Sequence, residues 1–133
     1  MKFLIDTCIC VSLLRNQEPV FSRFLTSYHR DDCTLSAITV FELRYGALHA
    51  QMGNTEKMQA VEALVRQFSI IPFDAEEAAV AAEIREELSH AGTPIGTADL
   101  LIAACAKAHG LTVVTNNEKE FRRVSGLSVE SIR

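Results

Sequence analysis

The chain has 133 residues, with 13 Lys and Arg against 17 Asp and Glu, for a net charge of −4. Apolar residues make up 48%, enough for a buried core and too many for a disordered chain. The uncharged run at residues 7–14 is too short for a membrane span, and MKFLID, with an acid at position 6, is not a secretory signal pattern. An acidic balance argues against a nucleic-acid partner unless something else supplies positive charge, because phosphate binders are usually basic.

In chain order, residues 2–6 (KFLID) read as a short apolar strand ending in an acid. Residues 8–15 read as a short helix, and Pro19 opens another to about His29. CTLSA, 33–37, is a second strand; helices follow over 39–51 and 55–66, separated by Gly53-Asn54. SIIPF, 69–73, is a strand. Residues 74–92 carry the strongest helix signal: Asp74 heads it, Glu77 stands where a capping box needs it, and His90 and Gly92 mark its end. TPIGTADLLIAACA then leads Asp99 into a helix that is apolar on nearly every side and ends near Gly110. LTVVT, 111–115, is a β-branched strand, 117–123 a short helix, and LSVES, 127–131, a last strand. Short apolar strands alternating with helices predict an α/β domain over 1–133, with a mainly parallel sheet covered on both faces.

In such sheets ligands bind beyond the carboxyl ends of the strands. Asp6 and Thr7 follow the first strand; Ser36, Thr39 and Glu42 follow the second. Thr115, Asn116, Asn117 and Glu120 follow LTVVT, and Asp99 opens the apolar helix. Four acids and several hydroxyls can therefore gather at one edge, an all-oxygen set of the kind Mg²⁺ or Mn²⁺ prefers. Each acid also has a local reading. Asp6 can cap the helix after it, Glu42 can complete a capping box with Thr39, Glu120 can do so with Asn117, and Asp99 suits a helix N-terminus. Taken jointly, Asp6 and Asp99 border apolar segments, and unpaired carboxylates close together raise one another's pKa. A divalent cation resolves that repulsion and supplies the positive field an acidic protein needs for a phosphate substrate.

Cys8, Cys10, Cys33 and Cys105 form no CxxC pair and read as reduced core or near-core residues of a cytoplasmic protein. His29, His49, His90 and His109 lie near helix ends, without ligand spacing, and no catalytic histidine is assigned. Arg15 and Arg44 are either phosphate contacts or internal ion-pair partners; Arg122-Arg123 is either a phosphate grip or a solvated pair. Phe24, Leu48 and Val61 look exposed on their helices, although some must be core.

LIDT at 4–7, LSAITVFELRYGA at 35–47, GTPIGTADLLIAA at 92–104 and VTNNEKEFRRVSGL at 114–127 together resemble PIN-domain ribonucleases. The resemblance is closest to the VapC toxins of bacterial VapBC toxin–antitoxin systems and covers nearly the whole chain. It implies a three-layer α/β/α fold and a Mg²⁺- or Mn²⁺-dependent endoribonuclease that cuts structured RNA such as tRNA or rRNA. It implies metal-site acids at Asp6, Glu42 and Asp99. Many PIN domains carry Asp near the position of Asn117, so Glu120 is the fourth acid it suggests, binding a second ion or orienting water. Thr7, Thr115, Asn117 and Ser36 are supporting candidates. The resemblance further implies a VapB-like antitoxin whose C-terminal segment binds beside the site, a toxin homodimer, and larger hetero-oligomers with the antitoxin. Two other readings compete. A PIN-like module that binds RNA or protein without cutting is expected to have lost these acids. A phosphatase with Asp6 as nucleophile needs a second Asp where this chain has Cys8.

Overall fold

The computed structural model describes residues 1–50 and 55–132. Five short strands, β1 (Phe3–Ile5), β2 (Cys33–Ser36), β3 (Ser69–Ile71), β4 (Thr112–Val114) and β5 (Val129–Glu130), pair in the order β3-β2-β1-β4-β5. Every pairing is parallel, with Phe3 opposite both Cys33 and Thr112. Among the described residues the helices between them are α1 (Thr7–Leu14), α2 (Val20–Ser27), α3 (Ala37–Ala50), α4 (Thr55–Val65), α5 (Ala75–Ala91), α6 (Thr97–Ala108) and α7 (Glu118–Phe121). A 3₁₀ turn, Arg30–Asp32, precedes β2. This is the three-layer α/β/α arrangement expected from the sequence. The expected break at Gly53-Asn54 lies outside the described residues.

Successive strand residues point to opposite faces, and here both faces are dry. Leu4 and Val113 enter one core with Ile84, Leu88, Ile102 and Phe121, between the sheet and α5–α6–α7. Ile5 and Val114 enter the other with Ile9, Leu13, Phe24, Leu43 and Val61, beneath α1–α4. This explains why the strands read as continuous apolar runs instead of alternating ones. Phe24 and Val61 are therefore core, whereas Leu48 is exposed. In α6 the run Ala103-Ala104-Cys105-Ala106 has no exposed surface, because small side chains let the helix press close to its neighbours.

The ends of α5 and α6 are tied together. Glu77 accepts the backbone N–H of Asp74 at 2.8 Å, as the capping pattern predicts. Its other oxygen meets His109 Nε2 at 2.8 Å, although Glu77 is only 3% exposed. His109, read from sequence as a favourable charge at a helix end, thus has a buried partner 32 residues away. Gly92 closes α5 with φ of 73°, a left-handed conformation that favours glycine.

Candidate active site

The parallel order sends β1, β2 and β4 to one carboxyl edge, and α6 starts beside it. Asp6 stands where β1 becomes α1. Its backbone is extended, its N–H donates to Val114 O at 2.9 Å, and its carboxylate is 3% exposed. Oδ1 accepts the Thr7 N–H at 2.8 Å, so the capping role is real. Oδ2 accepts Thr115 Oγ1 at 2.7 Å and Cys8 Sγ at 3.3 Å. Capping takes one position on Oδ1, and two side-chain donors meet on Oδ2.

Glu42 lies in the second turn of α3, and its expected capping box is not formed. The helix begins at Ala37, and Ser36 Oγ accepts the Thr39 N–H at 3.1 Å, so Ser36 is the cap and Thr39 lies inside the helix. Glu42 is thereby released to accept Thr7 Oγ1 at 2.6 Å, while Thr7 also reaches Thr39 Oγ1 at 3.1 Å. The expected cap at Asn117 is corrected too, because its side chain makes no capping bond. Asn117 Nδ2 donates instead to Asp99 Oδ2 at 3.0 Å and to Glu120 Oε2 at 2.8 Å. Its backbone N–H donates to Thr115 Oγ1 at 2.9 Å.

All eight sequence candidates join one hydrogen-bonded chain. Ser36 holds Thr39, Thr39 meets Thr7, and Thr7 joins Glu42 to Asp6. Thr115 carries the chain from Asp6 to Asn117, which spans Asp99 and Glu120. Cys8 is a member that sequence reasoning missed. A cysteine in an apolar run reads as a small hydrophobe, and only its position two residues after Asp6 hinted otherwise.

The electrostatics follow from crowding like charges in partly dry surroundings. Burial holds the Asp6 carboxyl above the usual range, against the lowering effect of Thr115, Cys8 and the Thr7 N–H. Asp99 is pushed up to about 7, first by desolvation, then by its hydrogen bond with Glu120 and by the charges of Asp6, Glu120 and Glu42. Glu120 is held down, chiefly by that bond with Asp99 and by Asn117. The two acids titrate as a pair, with protonation favoured at Asp99 and opposed at Glu120. Among the described residues, the ion pairs include none of the four acids.

The conspicuous arginines lie elsewhere. Arg44 pairs with Glu62 across α3 and α4 at 2.7 Å. Arg122 meets Glu118 and the Val129 carbonyl, and Arg123 Nη1 donates to the Pro94 carbonyl at 2.9 Å. Arg123 thus braces the turn that leads into α6. Arg15 lines with Glu42, Leu14 and Gly46 a groove of about 250 Å³ between α1, α3 and α4, and the charge of Arg123 acts on Glu120.

The donor set fits a hard divalent cation: carboxylate oxygens from four elements, with hydroxyls behind them and, among the described residues, no salt bridge to them. Among the described residues no three acidic, histidine or cysteine side chains already converge as a coordination sphere. The acids are held in pairs by neutral donors.

A parallel sheet with acids drawn from β1, α3, α6 and α7 to its carboxyl edge defines the PIN-domain class. The PIN domain family matches residues 3–127, and the chain belongs to that family. Within the family it groups with the VapC ribonucleases. It is 36% identical over 98% of its length to a tRNA(fMet)-specific endonuclease VapC of Shigella flexneri, covering 97% of that protein. It is 33% identical to ribonuclease VapC2 of Haemophilus influenzae, covering 98% of both chains. Among solved structures, a chain of DNA-bound VapBC from Salmonella typhimurium superposes with a TM-score of 0.89 at 34% identity, over 98% of each chain.

Proposed function

We propose that the protein is the endoribonuclease toxin of a toxin–antitoxin pair, cutting RNA with the help of Mg²⁺ or Mn²⁺. The observation that carries this reading is the hydrogen-bonded chain that links Asp6, Glu42, Asp99 and Glu120 at one sheet edge. Asp6 and Asp99 would be the primary metal ligands, with Glu42 binding directly or through water. When bound, the cation lowers the pKa of water and stabilises charge at the scissile phosphate. Glu120, less enclosed than Asp6, would hold a second ion or orient water. Thr7 and Thr115 fix the directions of the Glu42 and Asp6 carboxylates, Ser36 fixes Thr39 beneath them, and Asn117 keeps Asp99 and Glu120 facing each other. In the metal-free protein, protonation favoured at Asp99 offsets part of the repulsion between the two acids.

The endonucleases from Shigella flexneri and Salmonella typhimurium that this chain resembles are named as tRNA(fMet)-specific. We extend tRNA to this chain as its substrate. Solved relatives are complexes of toxin with antitoxin, and a VapB-like protein is the expected inhibitor. Phe41, Tyr45, Leu48 and Ile70 leave apolar surface exposed, which supports a protein partner, whether antitoxin or a second toxin chain. No described helix is long and apolar enough to cross a membrane, and four free cysteines are in keeping with a reducing cytoplasm. Sequencing RNA 5′ ends after brief expression of wild type and Asp6→Ala tests the reading. New ends confined to wild type and clustered in tRNA support it; identical end profiles refute it.

A further inference from the structure

Cys8 sits in the first turn of α1, half-buried, between Asp6 and the segment that follows β4. Its Sγ lies 3.3 Å from Asp6 Oδ2 and 3.5 Å from Thr115 Oγ1. The same sulfur accepts the Asn116 backbone N–H at 3.5 Å. The thiol has one proton to give, and Asp6 Oδ2 is an ionisable acceptor within reach. The sulfur thus connects three parts of the site: the first turn of α1, the acid at the end of β1, and the backbone leading to Asn117.

We infer that Cys8 is a positioning residue, whose S–H, together with the Thr115 hydroxyl, sets the orientation of the Asp6 carboxylate toward a bound cation. This rests on the metal-dependent reading above. Oδ1 is held by the Thr7 N–H at 2.8 Å, and rotation about Cβ–Cγ moves both oxygens together, so donors on Oδ2 resist the same rotation from the opposite side. Thr115 approaches Oδ2 at 2.7 Å, and Cys8 approaches the same oxygen from α1. Two donors on one oxygen hold the carboxylate plane more firmly than one, and each occupies a direction that a cation would otherwise be free to choose. Neighbours that orient a metal ligand commonly change metal affinity by tenfold to a hundredfold when removed. A thiol is a weak donor, so the low end of that range applies. The role requires a donor at position 8, whereas a core-packing role would require only volume.

Three variants separate donor from volume. Cys8→Ser keeps a donor, Cys8→Val keeps bulk without one, and Cys8→Ala keeps neither. Mn²⁺ affinity is read by electron paramagnetic resonance titration of the purified proteins, with thermal melts as the control for folding. RNA cleavage at saturating Mn²⁺ gives KM and kcat separately. The expected order is wild type and Cys8→Ser within about threefold of each other, and Cys8→Val and Cys8→Ala about tenfold weaker in Mn²⁺ affinity. KM for RNA is expected to stay unchanged. Equal Mn²⁺ affinity in all four proteins, or Cys8→Val matching wild type while Cys8→Ser is impaired, overturns the positioning role. Wild type that binds no Mn²⁺ overturns the metal reading beneath it, so the two failures are distinguishable.

Discussion

Replacing Asp99 by asparagine is expected to make the metal-free protein more stable above neutral pH while removing its activity. The folded protein holds the Asp99 carboxyl at about 7, whereas an unfolded chain returns it to roughly 3.9. Between those values the native state binds more protons than the unfolded state. Stability therefore falls as pH rises from about 4 to about 7 and stays at its lower level beyond. Three units at about 1.4 kcal/mol each set a ceiling of ~4 kcal/mol. Asp99 is partly open to solvent, and screening reduces this to roughly 1–2 kcal/mol. For a chain of this length that is about 4–7 °C in melting temperature. Asparagine keeps the shape and still accepts from Asn117, but carries no charge to repel Asp6, Glu42 and Glu120. The assay is denaturant unfolding in EDTA at pH 4.5 and pH 8. Asp99→Asn is expected to be more stable than wild type at pH 8, with most of that advantage gone at pH 4.5. A variant no more stable at pH 8, or equally favoured at both pH values, refutes the claim that charge crowding is held at this edge.

Asn117→Asp adds a third negative charge between Asp99 and Glu120; the metal-free protein should melt lower and gain more from added Mn²⁺ than wild type, as differential scanning fluorimetry will show. Asn117→Ala removes the donor shared by the two acids and is expected to lower kcat about tenfold or more, with little change in melting temperature. Phe121 has no exposed surface and anchors α7 beneath Glu120. Phe121→Ala should cost about 3–5 kcal/mol in urea unfolding. Glu77 is held below its ordinary range by the Asp74 N–H and by His109. Its stabilising effect is therefore present above about pH 4.5 and fades as pH falls through the native value. Glu77→Ala is expected to melt lower at pH 7, to lose that deficit at strongly acidic pH, and to retain cleavage at temperatures where it is folded.

The fold was largely readable from sequence because each cue was local and mutually consistent. The apolar runs at 3–5 and 112–114 are buried on both faces, the small residues at 103–106 mark a helix pressed into the core, and Asp74, Glu77 and Gly92 bound α5. The sheet-edge rule brought the four acids together before any contact was known. What sequence missed depends on contacts between distant segments. Thr39 and Glu42 have capping-box spacing, but Ser36 starts the helix three residues earlier and frees Glu42 for Thr7. Asn117 and Glu120 have similar spacing, yet the amide turns toward Asp99, 18 residues away in sequence. Cys8 and His109 have no sequence signature for their partners, because a thiol or imidazole gains its role only from what the fold places opposite it. Arg44 was open to two readings, a phosphate contact or an internal ion pair, and Glu62 makes it the ion pair.

Cleavage of purified tRNA by the purified protein, with Mn²⁺ or Mg²⁺ and with EDTA, in wild type and Asp6→Asn, tests the central claim most directly. Wild type is expected to make defined cuts that stop on chelation and return when the cation is restored in excess, and Asp6→Asn is expected to make none. Cleavage that persists in EDTA, or an Asp6→Asn protein as active as wild type, contradicts it.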